Sequence, residues 1–116
     1  HWVRDRKRGG RIALEEAVKR QCRDTALLYG LEDRGLVAPG YLADLNVIDM
    51  DKLKLGKPWL AFDLPAGGKR LLQRAGGYVA TVKSGQVTFR DGVCQGVFPG
   101  TVIRGPQRVE YAVAAE

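Results

Sequence analysis

At 116 residues, with 19 Lys and Arg against 13 Asp and Glu, the chain has room for one small domain and carries a formal net charge of +6. A chain of this size buries only about two thirds of the surface it exposes when unfolded, which excludes a large cleft walled by its own core. An apolar share of 45% excludes wholesale disorder, and no run approaches the ~20 apolar residues of a membrane-spanning helix.

The chain opens on a basic stretch, His1-Trp2-Val3-Arg4-Asp5-Arg6-Lys7-Arg8-Gly9-Gly10-Arg11. Clustered cations can attract phosphate. A nucleic-acid module, however, interleaves aromatics with its basic residues along a sheet or groove. Here Trp59, Phe62, Tyr78, Phe89 and Phe98 are scattered at positions that read as core. The stretch therefore reads as a solvated helix end, and its start without a cap implies that residues before His1 continue it.

From Leu14 the spacing becomes helical, with Leu14, Ala17, Val18 and Cys22 on one face and Glu15, Glu16, Lys19, Arg20 and Arg23 on the other. Acidic residues lead and basic residues follow, the order a helix dipole favours. Asp24 is placed to cap a second short helix over Thr25 to Tyr29. At Gly30 positive φ lets the helix stop, and Gly35 and Pro39-Gly40 turn the chain twice more. Strand alternation then begins at Ala43, with Ala43, Leu45 and Val47 on one face.

The connection from Asp49 to Pro58 is charged and reads as irregular, and Trp59 to Gly68 reads as a loop tucked on the core by Trp59 and Phe62. Strands are expected over Lys69–Arg74, Tyr78–Lys83, Gln86–Arg90 and Val93–Gln95, with a last short one over Thr101–Arg104. Ser84-Gly85 and Asp91-Gly92 are two-residue connectors of the kind that primed hairpin turns require. The weakly amphipathic tail, residues 107–116, has no assigned state.

Chemistry-bearing residues are few. Metal-assisted hydrolysis needs His and carboxylate ligands converging from several elements, yet this chain has one histidine, no HxH and no HExxH. A terminal amine beside His1 could chelate copper, but a firm site wants another imidazole. Cys22 and Cys94 have no base near in sequence and show no CxxC spacing. They are expected to be buried, reduced thiols of a cytoplasmic protein. Gly67-Gly68 and Gly76-Gly77 lack the strand-before, helix-after frame of a phosphate loop. No catalytic, cofactor-binding or metal-binding residue is assigned.

One long pattern stands out: a helix ending at Tyr29-Gly30-Leu31, then Asp33-Arg34-Gly35, Ala38-Pro39-Gly40, and Ala43-Asp44-Leu45 with an apolar run closing on Asp49. It resembles the late segment of the metal-dependent amidohydrolase superfamily. His1-Trp2-Val3-Arg4-Asp5-Arg6, Leu14 to Val18, Leu64 to Ala75 and Gly77 to Gly85 are similar to the N-acyl-D-amino-acid deacylase (D-aminoacylase) branch. The likeness runs to about Pro106, with Thr25 standing where a proline is often found and Thr101 where a basic residue is common.

The resemblance implies an α+β chain. Residues 1–35 would be the terminal helical segment of a (β/α)8 barrel, and 36–106 part of an accessory β-sandwich whose other strands lie upstream. It implies a parent enzyme with one or two divalent metals, usually zinc, that hydrolyses an amide through a metal-bound hydroxide and a catalytic Asp. The family's ligands lie upstream of the matched segment, so none transfers to a residue here. The expected partners are the parent's barrel and N-terminal strands, or a second copy through exposed strand edges, and neither a membrane nor nucleic acid. The contrasting reading is a stand-alone basic β module that binds nucleic acid or a protein.

Overall fold

Helical spacing from Leu14 is realised in the computed structural model, which describes residues 1–109, as one unbroken helical segment. Helix α1 (Leu14–Lys19) runs through a π-helical turn at Arg20–Asp24 into α2 (Thr25–Leu28). The expected cap at Asp24 is not one: its backbone is helical (φ −64, ψ −39) and its side chain caps nothing. Its carboxylate instead accepts Lys19 Nζ at 2.9 Å. Thr25 explains the continuity. Its N–H donates to the Cys22 carbonyl and its hydroxyl to the Arg20 carbonyl at 2.8 Å, bonds that a proline or an apolar residue could not both make. The wide turn also shifts the helical phase. Cys22 is exposed, as are Leu14 and Val18, so the expected apolar face is not a buried one.

Gly30 ends the segment as its chemistry requires. At φ +70 its N–H donates to the Leu27 carbonyl (3.0 Å), and Leu31 N–H donates to the Ala26 carbonyl (2.8 Å), the paired bonds of a Schellman motif. Leu31 then bridges Gln107 in parallel, with Gln107 N–H on the Gly30 carbonyl and Glu32 N–H on the Gln107 carbonyl. These residues belong to one compact unit, His1–Asp44 with the segment from Thr101; Leu45–Gly100 form a second.

In the second unit, β1 (Leu45–Ile48), β6 (Tyr78–Lys83), β7 (Gln86–Arg90) and β8 (Val93–Cys94) make a four-stranded antiparallel sheet in that order. Leu45 pairs with Val82 and Asn46 with Thr81, whose hydroxyl donates across the strands to Asn46 Oδ1 at 3.0 Å. The two-residue turns are as expected: Ser84 and Asp91 stand at φ 49 and 48, each followed by a glycine near +78. Two smaller ladders pair strands that were only partly expected: Arg70–Leu72 falls inside the strand expected over Lys69–Arg74, whereas the other three were not expected. β2 (Lys54–Leu55) lies inside the connection expected to be irregular and pairs with β5 (Ala75–Gly76), with Gly56 N–H donating to the Arg74 carbonyl at 2.7 Å. β3 (Trp59–Ala61) lies inside the expected loop and pairs with β4 (Arg70–Leu72). Thr101–Arg104 form no strand. Of the tail, residues 110–116 lie outside the described residues.

The β3–β4 hairpin also corrects the expected packing. Leu60 and Leu71 face each other across the ladder, yet they are 53% and 67% exposed, and Phe62 is 69% exposed rather than tucked on a core. Arg74 stacks over the Trp59 ring at 5.8 Å. At the hairpin's end Arg70 clasps Asp63 through two bonds, 2.8 and 2.6 Å, and this guanidinium holds the Asp63 carboxyl below its ordinary 3.8. Asp63 has a lowered folded value, so its contribution is present above 3.8 and is lost as pH falls through the folded value. Carbon-detected NMR titration is expected to place the Asp63 midpoint below 3.8, and Arg70→Ala is expected to move it upward. An unchanged midpoint would remove the clasp.

Among the described residues the buried apolar side chains are Ala26 in the first unit and Ala80 in the second. The remaining aromatics expected in the core, Tyr78, Phe89 and Phe98, are all exposed.

Candidate functional site

The most enclosed polar cluster is assembled by the turns after Gly30. Asp33 is 8% exposed, a burial that a carboxylate tolerates only with a cation and hydrogen bonds. Arg34 supplies both: Nε and Nη2 reach the two Asp33 oxygens at 2.9 and 3.0 Å, and Nη1 reaches Asp44 Oδ2 at 3.4 Å. The Asp33 hydrogen bond, with the two carboxylate charges, raises the Arg34 guanidinium above its ordinary value. Arg23 adds a second clamp by donating to the carbonyls of Glu32 (3.1 Å) and Arg34 (3.2 Å) while lying over the Tyr41 ring at 5.4 Å.

Gly35 is what lets this loop approach the helix: at φ +80, a Cβ there would stand 2.7 Å from the Cys22 carbonyl oxygen and 2.9 Å from the Ala26 Cβ. Leu42 N–H on the Asp33 carbonyl (2.8 Å) closes the loop before β1. The Arg34 guanidinium bridges the two carboxylates and braces the loop, and the Arg23 bonds tie that loop to the helix.

The residues weighed for chemistry are scattered. His1 packs its ring against Trp2 edge to face at 5.7 Å. Cys22 and Cys94 are free thiols, and both are exposed rather than buried. Gly67 belongs to a single 3-10 turn, Pro65–Gly67, and Gly76 to β5, with a strand and not a helix after Gly77. The donor set does not fit the zinc that the resemblance implies. Among the described residues no three His, Cys, Asp or Glu side chains stand together, and the one imidazole faces an indole.

Sequence reading named the Asp-Arg-Gly and Ala-Asp residues but not their union. Asp33-Arg34 adjacent in sequence was the available signal. That Asp44 would return to Arg34 depends on two glycine-directed turns, at Gly35 and Gly40, whose sum a linear pattern does not give.

The amidohydrolase family model matches residues 1–89. The chain belongs to the amidohydrolase family. No curated protein and no solved structure matches it. Among the described residues no helix is long and apolar enough to cross a membrane.

Proposed function

We propose that this chain is the C-terminal part of an amidohydrolase of the N-acyl-D-amino-acid deacylase type, whose parent cleaves the amide of N-acyl amino acids. In this reading residues 1–35 complete the catalytic (β/α)8 barrel and 36–106 form part of the β-sandwich beside it. The zinc ions and their ligands belong to the upstream barrel. The role of these residues is structural, and alone they turn over nothing.

The observation that carries the reading is the imbalance between apolar content and burial. A 45% apolar chain that stood alone would enclose its large side chains, yet here the buried apolar residues among those described are two alanines. Strand β1 is the outer strand of its sheet, with Val47 51% and Ile48 41% exposed. An open edge with apolar flanks is what a further strand would cover. In the parent that strand comes from upstream; in isolation a second copy would take its place.

The test has two arms. Coding sequence upstream of His1 is expected to contain HxH and a further His pair. The purified 116-residue chain is expected to leave N-acetyl-D-amino acids intact in the presence of zinc, to hold no stoichiometric metal by elemental analysis, and to sediment as a dimer or larger. Turnover by the chain alone, or one tightly held zinc per chain, would end the proposal. An ordered monomeric sheet would remove the account of the β1 edge.

A further inference from the structure

The basic stretch at the chain's start is built into a closed turn rather than left as a solvated run. Asp5 and Arg6 N–H groups both donate to the His1 carbonyl, at 3.1 and 2.9 Å, and Ile12 N–H donates to the Trp2 carbonyl at 3.1 Å. Arg11 Nε braces the turn on the Arg6 carbonyl. The single acid, Asp5, is spent on Arg4, which holds it by two bonds of 2.7 and 3.1 Å. Arg6, Lys7 and Arg8 have no carboxylate partner among the described residues.

Arg6 is the unusual one. The residue is half-buried, and its guanidinium lies over the Trp2 ring at 4.4 Å and donates from Nε to the Arg8 carbonyl. On its other side it sits so close to Gly9 that an alanine Cβ there would stand 2.8 Å from Nη2. A side chain that normally samples many rotamers is thus fixed before any ligand arrives, and its terminal N–H donors are left unused. Trp2, Arg6, Lys7 and Arg8 line one open concavity with His1, Gly9 and Asp5, whose carboxylate is held by Arg4.

We propose that this turn, Trp2 to Gly9, is a seat for a multiply charged phosphate group. A planar fork matches two oxygens of a phosphate, and the adjoining Lys7 and Arg8 favour an anion with more than one charge over a monocarboxylate. The ligand class is a small phosphorylated molecule. A nucleic-acid strand offers the same oxygens, and the experiment separates the two sources. This site is independent of the amide-hydrolase reading and stands or falls without it.

The probe is inorganic tripolyphosphate, read by fluorescence of Trp2 in the full chain carrying Trp59→Phe, since Trp2 and Trp59 are the two tryptophans. Saturable quenching is expected, weakening as salt rises. Arg6→Gln is expected to lower affinity about tenfold, the loss of a charge-assisted pair of bonds, and Lys7→Gln by less. Gly9→Ala keeps every charge and is expected to weaken binding nearly as much as Arg6→Gln, because its Cβ displaces the guanidinium and its φ of +76 strains the turn that positions it. A thymidine oligonucleotide is expected to bind no more tightly than tripolyphosphate; tighter binding would overturn the small-molecule assignment. Circular dichroism checks each variant, and if Arg6→Gln or Gly9→Ala fails to fold, Lys7→Gln with Arg8→Gln is read instead and must lose affinity. Absence of saturation, or equal small losses for Arg6→Gln and Lys7→Gln with none for Gly9→Ala, would overturn the proposal in favour of diffuse charge attraction.

Discussion

Replacing Gly77 by alanine is expected to cost about 3 kcal/mol or more and to detach β1 from β6. Two penalties coincide at this residue. Its φ of +94 lies where side chains are rarely tolerated, and an added Cβ would stand 2.7 Å from both N and Cα of Leu53 and 2.9 Å from the Asp49 carbonyl oxygen. All three neighbours are backbone atoms, so no rotamer change relieves the overlap. Asp49 N–H donates to the Gly77 carbonyl at 2.8 Å and Ile48 pairs with Tyr78, so any shift of the chain at Gly77 is felt at the β1 ladder. Gly85→Ala is the control: its φ is +77 but a Cβ there meets nothing, leaving only the conformational penalty of about 1–2 kcal/mol. Urea unfolding and hydrogen exchange at the Asn46 to Ile48 amides separate the two. Equal losses for both variants would show that the close approach to Leu53 is not what requires glycine.

The second large effect is expected at Arg34. Arg34→Ala removes the guanidinium that grips the buried Asp33 carboxylate and reaches Asp44, and breaking a buried ion pair from one side costs about 3–5 kcal/mol. Asp44 retains 23% side-chain exposure and can turn toward water, so the lower end applies, about 3 kcal/mol. Arg34→Lys restores charge but not the two-pronged grip on Asp33, and recovers part of the loss. Protection of the Leu42 amide, which donates to the Asp33 carbonyl, is the local readout. Since the folded value of Arg34 is raised, its contribution is fully present below the ordinary arginine value and is lost only as pH rises through the still higher folded one, so no pH dependence from this residue is expected near neutrality. A variant as stable as the parent chain would show that the loop holds without the ion cluster.

Features legible in the sequence were those whose chemistry is local. Gly30 stopped the helix, and Ser84-Gly85 and Asp91-Gly92 gave hairpins, because positive φ is a property of a residue or two. What failed depended on partners elsewhere. Asp24 looked like a cap because its side chain suits one, but Thr25 supplied bonds that kept the helix going. β2 and β3 went unseen because two- and three-residue strands show no alternation and exist only through β5 and β4. Phe62, Phe98 and Cys94 were assigned to a core on residue type, and Cys22 on helical spacing as well. Burial is decided by what covers a side chain, and nothing among the described residues covers these. At the candidate site, the Asp33-Arg34 pair was visible as neighbours and the Asp44 contact was not.

The tight two-residue connectors of the β6–β7–β8 meander have a kinetic consequence. Closing so short a stretch sacrifices little chain freedom, and such a hairpin zips in about 1–10 μs. Joining β1 to β6 must instead bring together residues about 30 positions apart, Ile48 and Tyr78, and the low contact order of the meander gives it the lead. On the ribosome β1 emerges first yet waits for its neighbour to be made. During that interval its unsatisfied amides are open to capture by whatever strand has already been synthesised.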